Sequence, residues 1–228
     1  MQNDTCNGLA ALLRQALGAR WQALHPDIRA RFTPAPGTTM QAFNGSMQVV
    51  ERSTLGWLIA KLIAFVRILP AIKARDVPFE FHLASAQDSG WIKQRIYHFQ
   101  SGRFEFKSVM KLDAAGDLIE QFAYGLGMKI RLVAEADKLY FLDDGYFLRS
   151  GTLRLPLPRW LTVGRFELIH QNTDRDNFTV EINLEHPLLG RLFHQHGHFR
   201  QAPVSAVNAY GAAAPDQAHR AQPETAYC

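Results

Sequence analysis

"GRFEFKSVMKL", Gly102 to Leu112, decides the fold. Phe104, Phe106, Ser108, Met110 and Leu112 take alternate positions, with Arg103, Glu105, Lys107 and Lys111 between them. Successive side chains of a strand point to opposite faces, so this is a strand with one buried and one solvated face. The same period of two runs through Val77, Phe79, Phe81 and Leu83, through Met128, Ile130 and Leu132, and through Phe178, Val180, Ile182 and Leu184. "QSGR", "DAAGD", "LDDGY" and "NTDRDN" carry the residues of tight turns, and short turns pair neighbouring strands antiparallel. About nine to ten such strands with one apolar face cannot stay flat, because strands twist and long sheets curl. The expectation is a mainly β fold: an antiparallel sheet curled into a barrel or half-barrel.

Helices precede and interrupt the strands. Leu9, Leu12, Leu13, Leu17 and Trp21 recur at helical spacing. In "LHPDIRARF", Pro26 suits the first position of a second short helix. "MQAFNGSMQVVERS" reads as a strand or hairpin with Asn44-Gly45 at its turn. Ser53 or Thr54 caps a third helix, expected over Leu55–Leu69, with Gly56, Ala60, Lys61, Ala64 and Arg67 on one side and leucines and isoleucines filling a broad arc. That helix should cover one face or open end of the barrel, and its arc could contact a partner or a membrane surface. Residues 1–24 are expected to form an N-terminal helix, 25–200 a single β-rich domain, and 201–228, rich in Ala, Pro and Gln, a disordered tail.

Composition narrows the function. The chain has 228 residues, 47% hydrophobic and 20% charged, with a net charge of +4. Its charges are mixed, with no basic run, and its aromatics make no spaced stripe, so nucleic acid is not expected. Cys6 and Cys228 form no metal or redox pair, and a reducing cytoplasmic setting is the expectation. Lys61, Arg67 and Pro70 interrupt the most apolar stretch, so no transmembrane segment is expected. "GLG", Gly125 to Gly127, lacks the spacing and following helix of a dinucleotide fingerprint. No cofactor is expected.

"LHPDIRARF", "FNGSMQVVER", "RILP", "GRFEFKS", "LIEQFAYG", "LRLPLPRWL" and "EHPLLGRLFHQHGHF" follow one another in an order that resembles the bacterial domain family of unknown function DUF4166. The resemblance covers about residues 20–200 and implies a compact β-rich domain. It places Ser108, Glu120, Pro156, Pro158, Trp160, Pro187 and Gly190 at motif positions. It also implies a module that works alone or beside an NAD(P)-binding dehydrogenase-like partner. It carries no assigned chemistry.

Four stretches are candidates for a site. Gln94, His98, Ser108, Glu120 and His170 are polar residues among apolar neighbours. Such groups either satisfy one another inside a core, for example Glu120 with Arg95, or line a ligand pocket. The faces of the strand holding Gln94 and His98 are equally apolar, and its orientation stays open. "LRLPLPRWL" is extended by its prolines, with Trp160 and Arg159 placed to form a cavity mouth. The Leu55–Leu69 helix is the candidate for a protein partner or peripheral membrane contact. His194, His196 and His198 alternate along one strand. They read as one polar face, with His194 and His196 the residues to converge if a metal bound. A cupin-like His-x-His element would need a glutamate where Phe199 and Arg200 follow.

The reading that follows is a small apolar or amphipathic ligand held inside the curved sheet, with Gln94, His98, Ser108, Glu120, His170 and Trp160 as pocket residues. One alternative is an enzyme with Glu120 and His98 or His170 as an acid–base pair. The other is an interaction module beside the dehydrogenase-like partner.

Overall fold

The computed structural model describes residues 9–33, 38, 40–62, 70, 72–86, 90–151 and 153–202. The helices are α1 (Leu9–Leu17), α2 (Pro26–Arg31) and α3 (Thr54–Leu62), with 3-10 segments at Gly18–Ala23, Ala123–Gly125 and Arg159–Leu161. The strands are β1 (Met40–Arg52), β2 (Ala74–Ser85), β3 (Trp91–Phe99), β4 (Gly102–Leu112), β5 (Leu118–Gln121) and β6 (Leu126–Glu135). Then come β7 (Lys138–Ser150), β8 (Leu153–Leu157), β9 (Arg165–Asn172), β10 (Asn177–His186) and β11 (Gly190–Gln201).

Every pairing is antiparallel, in the order β6-β5-β4-β3-β2-β1-β11-β10-β9-β7, and β7 pairs back to β6. Ten strands therefore close a barrel, and β8 hangs on β7 outside the ring. Closure removes the edges that a curled sheet would otherwise present. The alternation predicted from sequence turns Val77, Phe79, Ser108, Met110, Met128, Ile130, Leu132, Phe178 and Leu184 into the barrel core.

Two expected turns are not turns. "LDDGY" lies inside β7, where Tyr146 faces Met128 and Asp143 faces Ile130, leaving Asp144 and Gly145 as a bulge opposite Lys129. Gly145 has a φ of +110°, which glycine adopts without strain. At this bulge β7 changes neighbour, from β9 over Lys138–Leu142 to β8 over Tyr146–Ser150. Asn44-Gly45 also sits mid-strand, in β1. A Cβ on Gly45 would lie 2.1 Å from the carbonyl oxygen of His198, so that glycine serves a close approach of backbone rather than a reversal.

Two ends of the barrel are closed differently. At one end the N-terminal segment packs into the opening: α1 lies against β6, and Leu9, Leu13 and Phe32 meet the aromatic layer of Phe43, Phe79, Phe178 and Phe199. The N–H of His25 donates to the Ala136 carbonyl in the β6–β7 turn, 2.7 Å away. The expected first helix thus plugs the barrel. At the other end α3 crosses β11, with Ser53 Oγ accepting from the Gly56 N–H at 3.0 Å as its cap. Gly56 touches the backbone of Leu192 so closely that a Cβ would lie 2.0 Å from its oxygen. The helix docks through its small residue, and Leu55 and Leu58 stay exposed. The expected continuation to Leu69 and the expected tail, apart from residues 201 and 202, lie outside the described residues. Among the described residues no helix is long and apolar enough to cross a membrane.

Candidate functional site

Inside the barrel lie two adjoining cavities. One of about 100 Å³ sits against the α1–α2 plug. The other, about 630 Å³, reaches the opposite end and is lined almost entirely by apolar and aromatic side chains. Its rim carries Tyr124, Trp160, Leu161 and Leu188, each more than half exposed at 70%, 64%, 61% and 77%. Arg95, Glu120, Phe166, Leu168, Ile182 and Gln195 border both cavities and form the waist between them.

At that waist β3, β4 and β5 bring together four buried polar residues. Lys93 pairs across the ladder with Ser108, and Glu120 with Met110, one pleat further along β4. Period-two geometry therefore puts Lys93, Arg95, Ser108 and Glu120 on one inward face. Lys93 Nζ donates to Glu120 Oε2 at 2.7 Å, and Arg95 Nη2 to Glu120 Oε1 at 2.9 Å. Ser108 Oγ donates to the same Oε1 at 2.5 Å and accepts from Arg95 Nη1 at 2.9 Å. Arg95 lies over the rings of Phe106 and Phe81, 4.7 and 5.5 Å from their centroids. Burial opposes a charged Glu120, but the Lys93 and Arg95 charges and the Lys93 and Ser108 hydrogen bonds outweigh it and hold the carboxyl well below its ordinary range. For Lys93 burial wins over the attraction of Glu120, and Arg95 adds to it, bringing the ammonium down to about 8. Beside the cluster, Tyr97 donates to Gln195 Oε1 at 2.8 Å, and burial pushes its hydroxyl up to about 12, so it remains a donor.

A second polar cluster ties the plug to the barrel. Arg31 of α2 reaches the β9–β10 turn, where Nη2 donates to Asn172 Oδ1 at 3.1 Å and to the carbonyls of Asp174, Arg175 and Asn177 at 3.0, 3.2 and 3.4 Å. Nη1 lies 3.4 Å from His170 Nε2, and the guanidinium covers the Phe178 ring at 4.6 Å. His170 stacks on the same ring, 4.6 Å away. Burial, with the Arg31 charge added, pulls the His170 imidazole down to about 3, so it stays neutral and can accept from Arg31.

The residues predicted from sequence separate accordingly. Ser108 and Glu120 meet at the waist, His170 lines the smaller cavity, and Trp160 stands at the rim of the larger one. Gln94 and His98 do not join them. β3 turns Trp91, Lys93, Arg95, Tyr97 and Phe99 inward, leaving Gln94 to donate to Glu105 at 2.5 Å and His98 to meet Glu80 at 2.7 Å on the outer face. Among the described residues the partners of the Glu120 carboxylate are Lys93, Arg95 and Ser108; neither His98 nor His170 is one of them. His194 lies on the outer face, bonded to Asn183 at 2.8 Å, and the His196 and His198 rings meet edge to face at 5.4 Å. Among the described residues no three His, Cys, Asp or Glu side chains gather as a metal site. Lys93 and Gln195 were missed. Gln195 shares the period of Phe193 and Phe199, so the alternation of β11 alone could have found it. "GLG" has a packing role, since Gly127 lies beneath the Phe147 ring, where a Cβ would come within 2.2 Å.

Residues 24–199 match the model of the family described as "Domain of unknown function (DUF4166)". The chain is also 25% identical over 193 residues to an uncharacterized protein, YndH, of Bacillus subtilis (strain 168), a span covering 79% of this chain and 92% of that protein. Since the matched span runs from just before α2 to Phe199 in β11 and takes in the barrel, the waist cluster and the rim, the chain belongs to the DUF4166 family.

Proposed function

We propose that the barrel binds a small apolar or amphipathic molecule in its larger cavity. The carrying observation is that cavity itself: about 630 Å³ of space in a closed barrel, apolar along its walls, with a few polar groups at its inner end. Ligand pockets commonly fall between 300 and 1,000 Å³ and share that lining. A packed core leaves no such space, because protein interiors fill to the density of organic crystals. The exposed aromatic and leucine rim supports entry of an apolar molecule at this end. The inner polar groups would orient the ligand, since Glu120 and Lys93 hold each other in place.

A second reading, an interaction module beside a dehydrogenase-like protein, is favoured by Leu55 and Leu58 of α3, 43% and 57% exposed. Native mass spectrometry of the protein from a bacterial host, before and after mild denaturation, separates the two. An adduct released on unfolding supports the pocket. A clean mass, together with no uptake of added lipids, would discard it and leave the interaction reading.

A further inference from the structure

Among the described residues that line the two cavities, the charged ones are Arg31, Lys93, Arg95 and Glu120. His170 is held neutral. Arg31 spends its charge on the plug, against Asn172 and three carbonyls, with Asp27 and Asp174 nearby. The waist is different. Two cations, Lys93 at 7% exposure and Arg95 at 9%, share the single carboxylate of Glu120.

The imbalance appears again in the hydrogen bonds. Lysine and arginine together carry eight N–H donors. Three of them meet Glu120 or Ser108, and no further acceptor for Lys93 or Arg95 is found among the described residues. Gln195 gives its oxygen to Tyr97, which leaves its amide N–H₂ as a further donor at the same waist. A buried cation without its counter-charge costs several kcal/mol. The waist therefore has one positive charge too many and several donors too many, at the inner end of an apolar cavity.

We propose that the ligand is an amphiphile with an anionic head, a carboxylate of the fatty-acid kind, whose head enters the waist against Lys93 and Arg95 while its chain fills the larger cavity. This rests on the ligand-binding reading and deepens it. An anion supplies both missing features, one negative charge and several acceptor lone pairs. A cationic head would meet the excess positive charge, and Glu120 is already shared between two partners. The depressed Lys93 ammonium agrees with a site in which the cation lacks a full counter-charge. The apolar rim suits the tail of such a molecule better than it suits a small hydrophilic anion.

The test is fluorescence titration with parinaric acid and with its methyl ester, the same chain without the charge. The acid should bind at least about tenfold more tightly than the ester near neutral pH. Lys93→Met removes one cation and leaves Arg95 matched to Glu120, so the ratio should fall close to one while ester binding persists; Lys93→Arg should keep the preference. If Lys93→Met does not fold, as judged by its thermal melt, Arg95→Gln reads the same loss, because it keeps a donor toward Glu120. Equal binding of acid and ester by the unmodified protein overturns the head-group assignment and leaves the carrier reading standing. Binding of neither overturns both.

Discussion

Arg31 and Arg95 are both buried, and both lie face-on to phenylalanine rings, 4.6 Å from Phe178 and 4.7 Å from Phe106. Their surroundings differ. Arg31 meets a histidine nitrogen, an amide oxygen and three carbonyls, and these join α2 to the β9–β10 turn. Arg95 shares the Glu120 carboxylate with Lys93 and otherwise donates to the Ser108 hydroxyl, which itself donates to that carboxylate. The first is a structural lock whose acceptors all lie in β9, β10 and the turn between them. The second is a charged group whose balance is incomplete, and it borders the cavity with room for a ligand. Two arginines with similar burial and similar ring contacts can thus be told apart only by the acceptors around them.

The largest effect should come from the one group that both waist cations need. Glu120→Gln leaves Lys93 and Arg95 buried side by side, and urea unfolding should show a loss of about 3–5 kcal/mol. A loss below about 1 kcal/mol would mean that the carboxylate is not what holds the waist.

Arg31→Met tests the lock. It keeps apolar contact with Phe178 but takes the Arg31 donor away from Asn172 Oδ1 and from the Asp174 and Arg175 carbonyls, at a cost of about 2–3 kcal/mol. Because Arg31 binds the β9–β10 turn and none of Lys93, Arg95, Ser108 and Glu120 at the waist, the acid-to-ester ratio should not change in this variant. A change in that ratio would erase the distinction between lock and site.

His170 ties stability of the lock to pH. The His170 imidazole titrates near 6.5 in the unfolded chain, whereas burial in the fold lowers it to about 3. Below 6.5 the unfolded chain binds a proton that the fold refuses, so stability falls as pH drops from 6.5 toward 3. Between about pH 7 and about pH 4.5 the loss from this one group should reach about 2.5 kcal/mol, and His170→Phe should remove that share. Glu120 acts in the same direction but lower, over the range from 4.5 down. Equal pH slopes for the two proteins would show that His170 is protonated in the fold.

The smallest effect belongs to the outer face. His198 is exposed, and His198→Ala should change stability by no more than about 0.5 kcal/mol and leave ligand preference untouched. A larger change would give the histidine strand a role that its surroundings do not suggest.

Much of the barrel was legible because strand patterning is local. β4 and β10 show their inward residues every second position, and no distant part of the chain can change which residues of one strand share a face. The misreadings came where local signals were degenerate. "LDDGY" has the residues of a turn, but the same Gly with positive φ serves a bulge, and only the neighbours β6, β8 and β9 decide which forms. β3 has Ile92 and Ile96 on one side and Trp91, Tyr97 and Phe99 on the other, so hydrophobicity alone could not orient it. That single ambiguity sent Gln94 and His98 into the expected pocket and left Lys93 out of it.

The sequence by itself determined a one-faced antiparallel sheet long enough to curl, the presence of helices before it, and Ser108 and Glu120 as polar residues on apolar faces. Those follow from period, length and turn chemistry, which act over a few residues. The tertiary structure decided that the ring closes through β6 and β7, that β3 turns its cations inward, and that one carboxylate serves both. Ladder register and barrel closure set these, and both depend on strands far apart in the chain, so no short stretch of sequence contains them.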